Sequence, residues 1–162
     1  MPRLLAVLAL AAVPAALAYA AESRSPGSIS GELKQWHKVT LTLEGPFARE
    51  RDTQPNPFVD YRLTVRFAHE SGAPSYDVPG YFAADGNAGE TSAEEGTKWR
   101  AHLSPDKAGR WNWRASFVKG PRAAIDPKAT VETVSGVDGA TGSFTLLPTD
   151  KKGRDSTSRA GA

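Results

Sequence analysis

Asp106-Lys107-Ala108-Gly109-Arg110-Trp111-Asn112-Trp113-Arg114-Ala115-Ser116-Phe117 is the stretch that decides the fold. In it Trp111, Trp113, Ala115 and Phe117 fall on one face of an extended chain, and Arg110, Asn112, Arg114 and Ser116 fall on the other. Period-two patterning of this kind marks a strand with one side in a core and one in water. An acidic residue, a glycine and an aromatic also open this late strand, as at the E–F corner of immunoglobulin-like domains. The aromatic there is usually tyrosine; Trp111 brings no hydroxyl to close the corner.

Working outward, the same alternation recurs. Trp36 to Leu43 places Val39, Leu41 and Leu43 inward and Lys38, Thr40 and Thr42 outward, with Glu44-Gly45-Pro46 as its end. Asp60 to His69 places Tyr61, Leu63, Val65 and Phe67 inward and Arg62, Thr64 and Arg66 outward. Ser75 to Val78 and Tyr81-Phe82 read as short strands split by Pro79-Gly80, and Ala83 to Thr97 as a long loop. Lys98 to Leu103, Thr130 to Val134 and Ser143 to Leu147 complete the set. The fold class is all-β: an immunoglobulin-like sandwich of about seven antiparallel strands.

The 162 residues leave room for one domain plus termini. Arg3, the apolar run Leu4 to Ala18 and the small-x-small triplet Ala18-Tyr19-Ala20 make residues 1–20 a signal peptide, so the product is expected to be secreted or periplasmic. Residues 21–34 read as a linker, residues 35–148 as the sandwich, and residues 149–162 as a disordered tail. There is no cysteine, which excludes disulfides, thiol catalysis and a lipid anchor on sulfur. A net charge of +2 with interspersed signs gives no support for nucleic-acid binding, and no membrane association is expected after cleavage.

Chemistry is thinly signalled. His37, His69 and His102 have no metal-ligand spacing, and no nucleophile elbow is present. Asp60, Asp77, Asp85, Glu90 and the Glu94-Glu95 pair are the acids available, and none stands out as a catalytic couple. Asp85-Gly86-Asn87 with Glu90 offers oxygens of the kind calcium takes, yet it is also an ordinary turn sequence. The sequence assigns no catalytic residue, no metal and no cofactor. Trp36, Tyr76, Tyr81 and Phe82, outside the clear inward register, are the candidate carbohydrate contacts. Lys38, Arg62, Arg66, Arg100 and Arg114 point outward and read as ordinary solvated surface.

The blocks Trp36 to Pro46, Asn56 to Leu63, Val78 to Gly86, Lys98-Trp99-Arg100 and Pro105 to Trp113 resemble the domain of unknown function 5060. That resemblance implies a β-sandwich near the N-terminus of exported bacterial proteins, preceding a TIM-barrel-like region similar to glycoside hydrolases, with no catalytic residues of its own. A barrel needs about 250 residues, more than follow Asp150, so the tail reads as a truncated connection to a missing catalytic region. The implied role is a non-catalytic accessory domain whose partner is a catalytic barrel of the same or a companion protein. The alternative is a stand-alone secreted carbohydrate-binding module, with polysaccharide as partner.

Overall fold

The computed structural model describes residues 27–152, so the signal peptide, residues 21–26 of the linker and residues 153–162 of the tail lie outside the described residues. Two antiparallel sheets face each other. The first holds β1 (Gly27–Gly31), β2 (Val39–Arg49), β5 (Tyr81–Phe82) and β6 (Glu95–Leu103) in the order β1-β2-β6-β5. The second holds β3 (Tyr61–His69), β4 (Ser75–Pro79), β7 (Gly109–Lys119), β8 (Glu132–Thr133) and β9 (Thr141–Leu146). Its order is β4-β3-β7, with β8 and β9 both pairing β7. Seven of the nine strands have five or more residues. The arrangement corresponds to A-B-E-D against C′-C-F-G of immunoglobulin-like domains.

Alternation holds where it was expected. Leu41, Leu43, Val65, Phe67, Trp99, Trp111 and Phe117 are buried between the sheets. With no disulfide to staple the layers, an aromatic cluster fills their centre. Trp99 lies 4.8 Å from Phe117, 5.1 Å from Tyr61 and 5.2 Å from Phe82, centroid to centroid. Such pairs add about 0.5–1.5 kcal/mol each beyond the area they bury. The Trp99 indole N–H donates to the Pro46 carbonyl at 3.0 Å, so the ring enters the core with its polar edge satisfied.

The E–F corner forms between β6 and β7, where the chain passes from one sheet to the other. Trp111 there donates its indole N–H to the carbonyl of Lys107 at 3.0 Å. A tyrosine hydroxyl makes the equivalent upstream contact in immunoglobulin domains. The missing hydroxyl is thus replaced by the indole.

Several boundaries differ from the sequence reading: β2 begins at Val39, β8 spans Glu132–Thr133, β9 spans Thr141–Leu146, and three further differences concern the edge strand, the end of β2 and the loop after β5. Gly27–Gly31 is not linker but a strand, paired with β2 from Gly27↔Leu43 to Gly31↔Val39. An edge strand needs one partner and few apolar side chains. Here only Ile29 packs on the core, and a Cβ on Gly27 would meet Leu43 and Leu41 at 2.8 and 2.9 Å. Glu44-Gly45-Pro46 does not end β2, which runs to Arg49. Pairing with β6 is interrupted between Glu44 and Ala48, and Pro46 sits in that interruption, where its missing N–H breaks no ladder bond. A Cβ on Gly45 would lie 2.4 Å from the Trp99 ring, so this bulge also makes room for the core tryptophan. Last, the loop from Ala83 contains the one-turn helix α1 (Ala88–Thr91) and ends at Glu94 rather than Thr97, since β6 begins at Glu95.

Candidate functional site

The four candidate aromatics do not form one platform. Phe82 is 6% exposed and belongs to the core, so it offers no stacking face. It neighbours Tyr81 in β5 but points the opposite way, as strand alternation requires. Tyr76 is half-buried, stacked on Trp111 at 6.0 Å, with its hydroxyl donating to Asp106 Oδ2 at 2.8 Å. Burial and that carboxylate both raise its phenol above the usual range. Trp36 sits in the β1–β2 loop with φ of 67°, its N–H donating to the Pro105 carbonyl. Tyr76 and Trp36 are therefore anchored to the same Pro105-Asp106 corner. Tyr81 alone of the four is exposed, at 43%.

Tyr81 is also positioned. On the outer face of the first sheet, Thr42, Arg100 and Tyr81 are successive register partners across β2, β6 and β5. The Tyr81 hydroxyl lies 2.7 Å from His102 Nε2, and His102 Nδ1 lies 2.9 Å from Thr40 Oγ1. Burial, then the charges of Lys38 and Arg100, lower the His102 imidazole below its ordinary value, so at neutral pH the ring donates from one nitrogen and accepts at the other. Arg100 Nε donates to Thr42 Oγ1 at 3.1 Å. Beside this row Tyr81, Arg100, Asn87, Glu50 and Glu90 line an open cleft of about 300 Å³. An aromatic ring flanked by a guanidinium, an amide and carboxylates is a set that can stack on a sugar and bond its hydroxyls. The sequence named Tyr81; His102 lies 21 residues from it and Thr40 lies 62 from His102, so no local signal marks the row.

Asp60 and Asp85 are held by structural hydrogen bonds. Asp60 borders a cleft of about 570 Å³ together with Glu132. Its two oxygens accept the backbone N–H groups of Arg122 and Asn56 at 2.9 and 2.8 Å, which hold its carboxyl below the usual range. A general acid needs the opposite shift. Glu132 is paired with Lys119 at 3.1 Å. Asp85 accepts from the Thr91 hydroxyl at 2.6 Å and the Asn87 N–H at 2.7 Å, and these bonds lower its carboxyl in turn. Its oxygens thus bind the Asp85–Thr91 loop to itself. His69 is buried, with Nε2 on the Ala108 carbonyl at 3.0 Å and Nδ1 on Ser71 Oγ at 2.8 Å.

Among the described residues the one group of three potential metal ligands lies elsewhere, at Glu32, His37 and Asp150, with ligand atoms within 4.8 Å of one another. His37 places one ring nitrogen 3.1 Å from Glu32 and the other 3.0 Å from Asp150. Lys34 pairs with Asp150 and stands 3.7 Å from Glu32, so an ammonium already supplies positive charge there. That contact raises the Lys34 ammonium and lowers the Asp150 carboxyl. Lys151 Nζ adds a bond to the Trp36 carbonyl at 2.8 Å, and Leu147 bridges Lys34. Asp150 and Lys151 of the expected tail are therefore strapped to the β1–β2 loop. Residues more than 110 apart make this clasp, so no local motif announces it.

Comparison with known proteins adds the following. A crystal structure of a "putative glycoside hydrolase" from Bacteroides vulgatus ATCC 8482 is similar to this chain, with TM-score 0.47 and 21% identity. The match covers 73% of this chain but 16% of that one. No curated protein matches. The family model for a domain of unknown function, DUF5060, matches residues 32–118. Spanning more than half of the sequence, that match makes the chain a member of the DUF5060 family.

Proposed function

We propose that this chain is an exported, non-catalytic accessory module that packs on, or presents, a catalytic barrel of the glycoside-hydrolase type in the same or a companion protein. The observation that carries this reading is the clasp of Glu32, Lys34, His37 and Asp150. It fixes the direction in which the chain leaves the sandwich, as a module that orients a following body requires. The commitment of Asp60 and Asp85 to backbone and loop hydrogen bonds supports a non-catalytic role. Deleting the equivalent of residues 27–148 from a full-length relative that carries a barrel tests the reading. Thermal unfolding of the barrel is expected to move to lower temperature. Unchanged stability, glycan binding and turnover would sink it.

A second reading, binding of neutral glycan, is favoured by the exposed and positioned Tyr81 beside Arg100 and Asn87. Titration with neutral polysaccharides, followed by intrinsic fluorescence, should give a saturable signal that Tyr81→Ala abolishes. A flat titration of the intact chain removes this reading.

A further inference from the structure

We propose that the outer face of the second sheet is a trough that binds a carboxylated glycan, a polymer of uronate-type sugars. The register builds the trough. One row across the sheet reads Asp77, Arg66, Arg114, Thr141; the next reads Ser75, Ala68, Asn112, Ser143; beyond it Arg110 stands opposite Thr145. The small middle row forms a floor between arginine rows. Two steps of two residues separate Arg114 from Arg110, about 13 Å along the strand, enough for a sugar ring between them. The concavity measures about 430 Å³.

Charge points to the occupant. Arg66 and Arg114 are direct partners on adjacent strands, an arrangement that costs stability where nothing offsets it. Asp77 accompanies Arg66 at 3.1 Å. The Arg114 guanidinium has neither an ion pair nor a hydrogen bond among the described residues; the Arg110 guanidinium has only the Ser143 hydroxyl, at 3.1 Å, while its backbone N–H donates to Glu70 Oε1 at 3.1 Å. Planar guanidinium forks match carboxylates bidentately. The floor adds Asn112 and Ser143, groups that both donate and accept, as sugar hydroxyls do. An acidic peptide fits less well. Backbone pairing would seat a peptide at the outer edges of β4 and β9 and not over the arginine rows, because β3 and β7 are paired on both sides.

Affinity electrophoresis and calorimetry of the full chain with polygalacturonate test the proposal, with dextran and poly-glutamate as controls. The chain should bind polygalacturonate, more weakly as salt rises, and should ignore dextran on this face. Each of Arg110→Gln and Arg114→Gln should lower affinity about tenfold, and Arg114→Lys less, because it keeps charge but loses the fork. Lys128→Gln, a charge change in the β7–β8 loop away from the trough, should leave polygalacturonate binding unchanged, which ties any loss to the arginine rows. Absence of binding, equal binding by the Arg110→Gln/Arg114→Gln variant, or equally tight binding of poly-glutamate would each overturn it.

Discussion

The outer faces of the two sheets are built from the same alternation and end in opposite electrostatic states. On the β1-β2-β6-β5 face the outward side chains satisfy one another: Tyr81 with His102, His102 with Thr40, Arg100 with Thr42. On the β4-β3-β7 face, arginines stand beside arginines, and Arg114 is left without a partner among the described residues. The lesson is that an outward polar residue has no fixed meaning until its cross-strand neighbour is known. One face is an internally hydrogen-bonded surface that exposes the rings of Tyr81 and Phe47; the other is an open set of polar groups rich in unpaired donors.

The largest expected effect is one that both faces share. Trp99→Ala removes the ring that holds Tyr61, Phe82 and Phe117 together and should cost about 3–5 kcal/mol in urea denaturation. Should only one sheet lose its protection in hydrogen exchange, the faces would not share a core as described.

A pH series addresses the first face alone. The folded-state imidazole of His102 is depressed below 6.5, so between that lowered value and 6.5 the unfolded chain binds more protons. The stabilisation is complete above the unfolded value and is lost as pH falls through the folded one. Protonation there adds a third positive charge beside Lys38 and Arg100. The midpoint of thermal unfolding should drop less for His102→Gln than for the parent chain as pH goes from about 7.5 to about 5.5. Parallel curves would show that His102 is not the group responsible.

Tyr81→Phe removes one bond of the same chain and should lower stability by about 0.5 kcal/mol. Arg114→Gln on the opposite face should do the reverse. Relieving the repulsion with Arg66 is worth about 0.3 kcal/mol in favour of the folded state. Paired denaturation curves that moved the same way for both variants would erase the contrast between the faces.

Much of the sandwich was legible because burial writes itself along a strand every second residue. Val39, Leu41 and Leu43, the Tyr61 to Phe67 set and the Trp111 to Phe117 set were all assigned the side they occupy. The edge strand β1 was not legible, since one partner and one apolar contact leave no periodic trace. The continuation of β2 past Pro46 was hidden by a proline that normally ends a strand but here sits in a bulge. Among the site candidates, exposure of Tyr81 and burial of Phe82 differ by one residue, and only the direction of β5 separates them.

The sequence by itself determined the layered all-β class, the inward faces and a core stabilised by tryptophan in place of disulfides. It did so because hydrophobic alternation is a local property of the chain. Only the tertiary structure decided that Arg66 meets Arg114, that Tyr81 meets His102, and that His37 and Lys34 hold Asp150. Those meetings depend on register between strands and loops far apart in sequence, which loop lengths, bulges and the shared core set together.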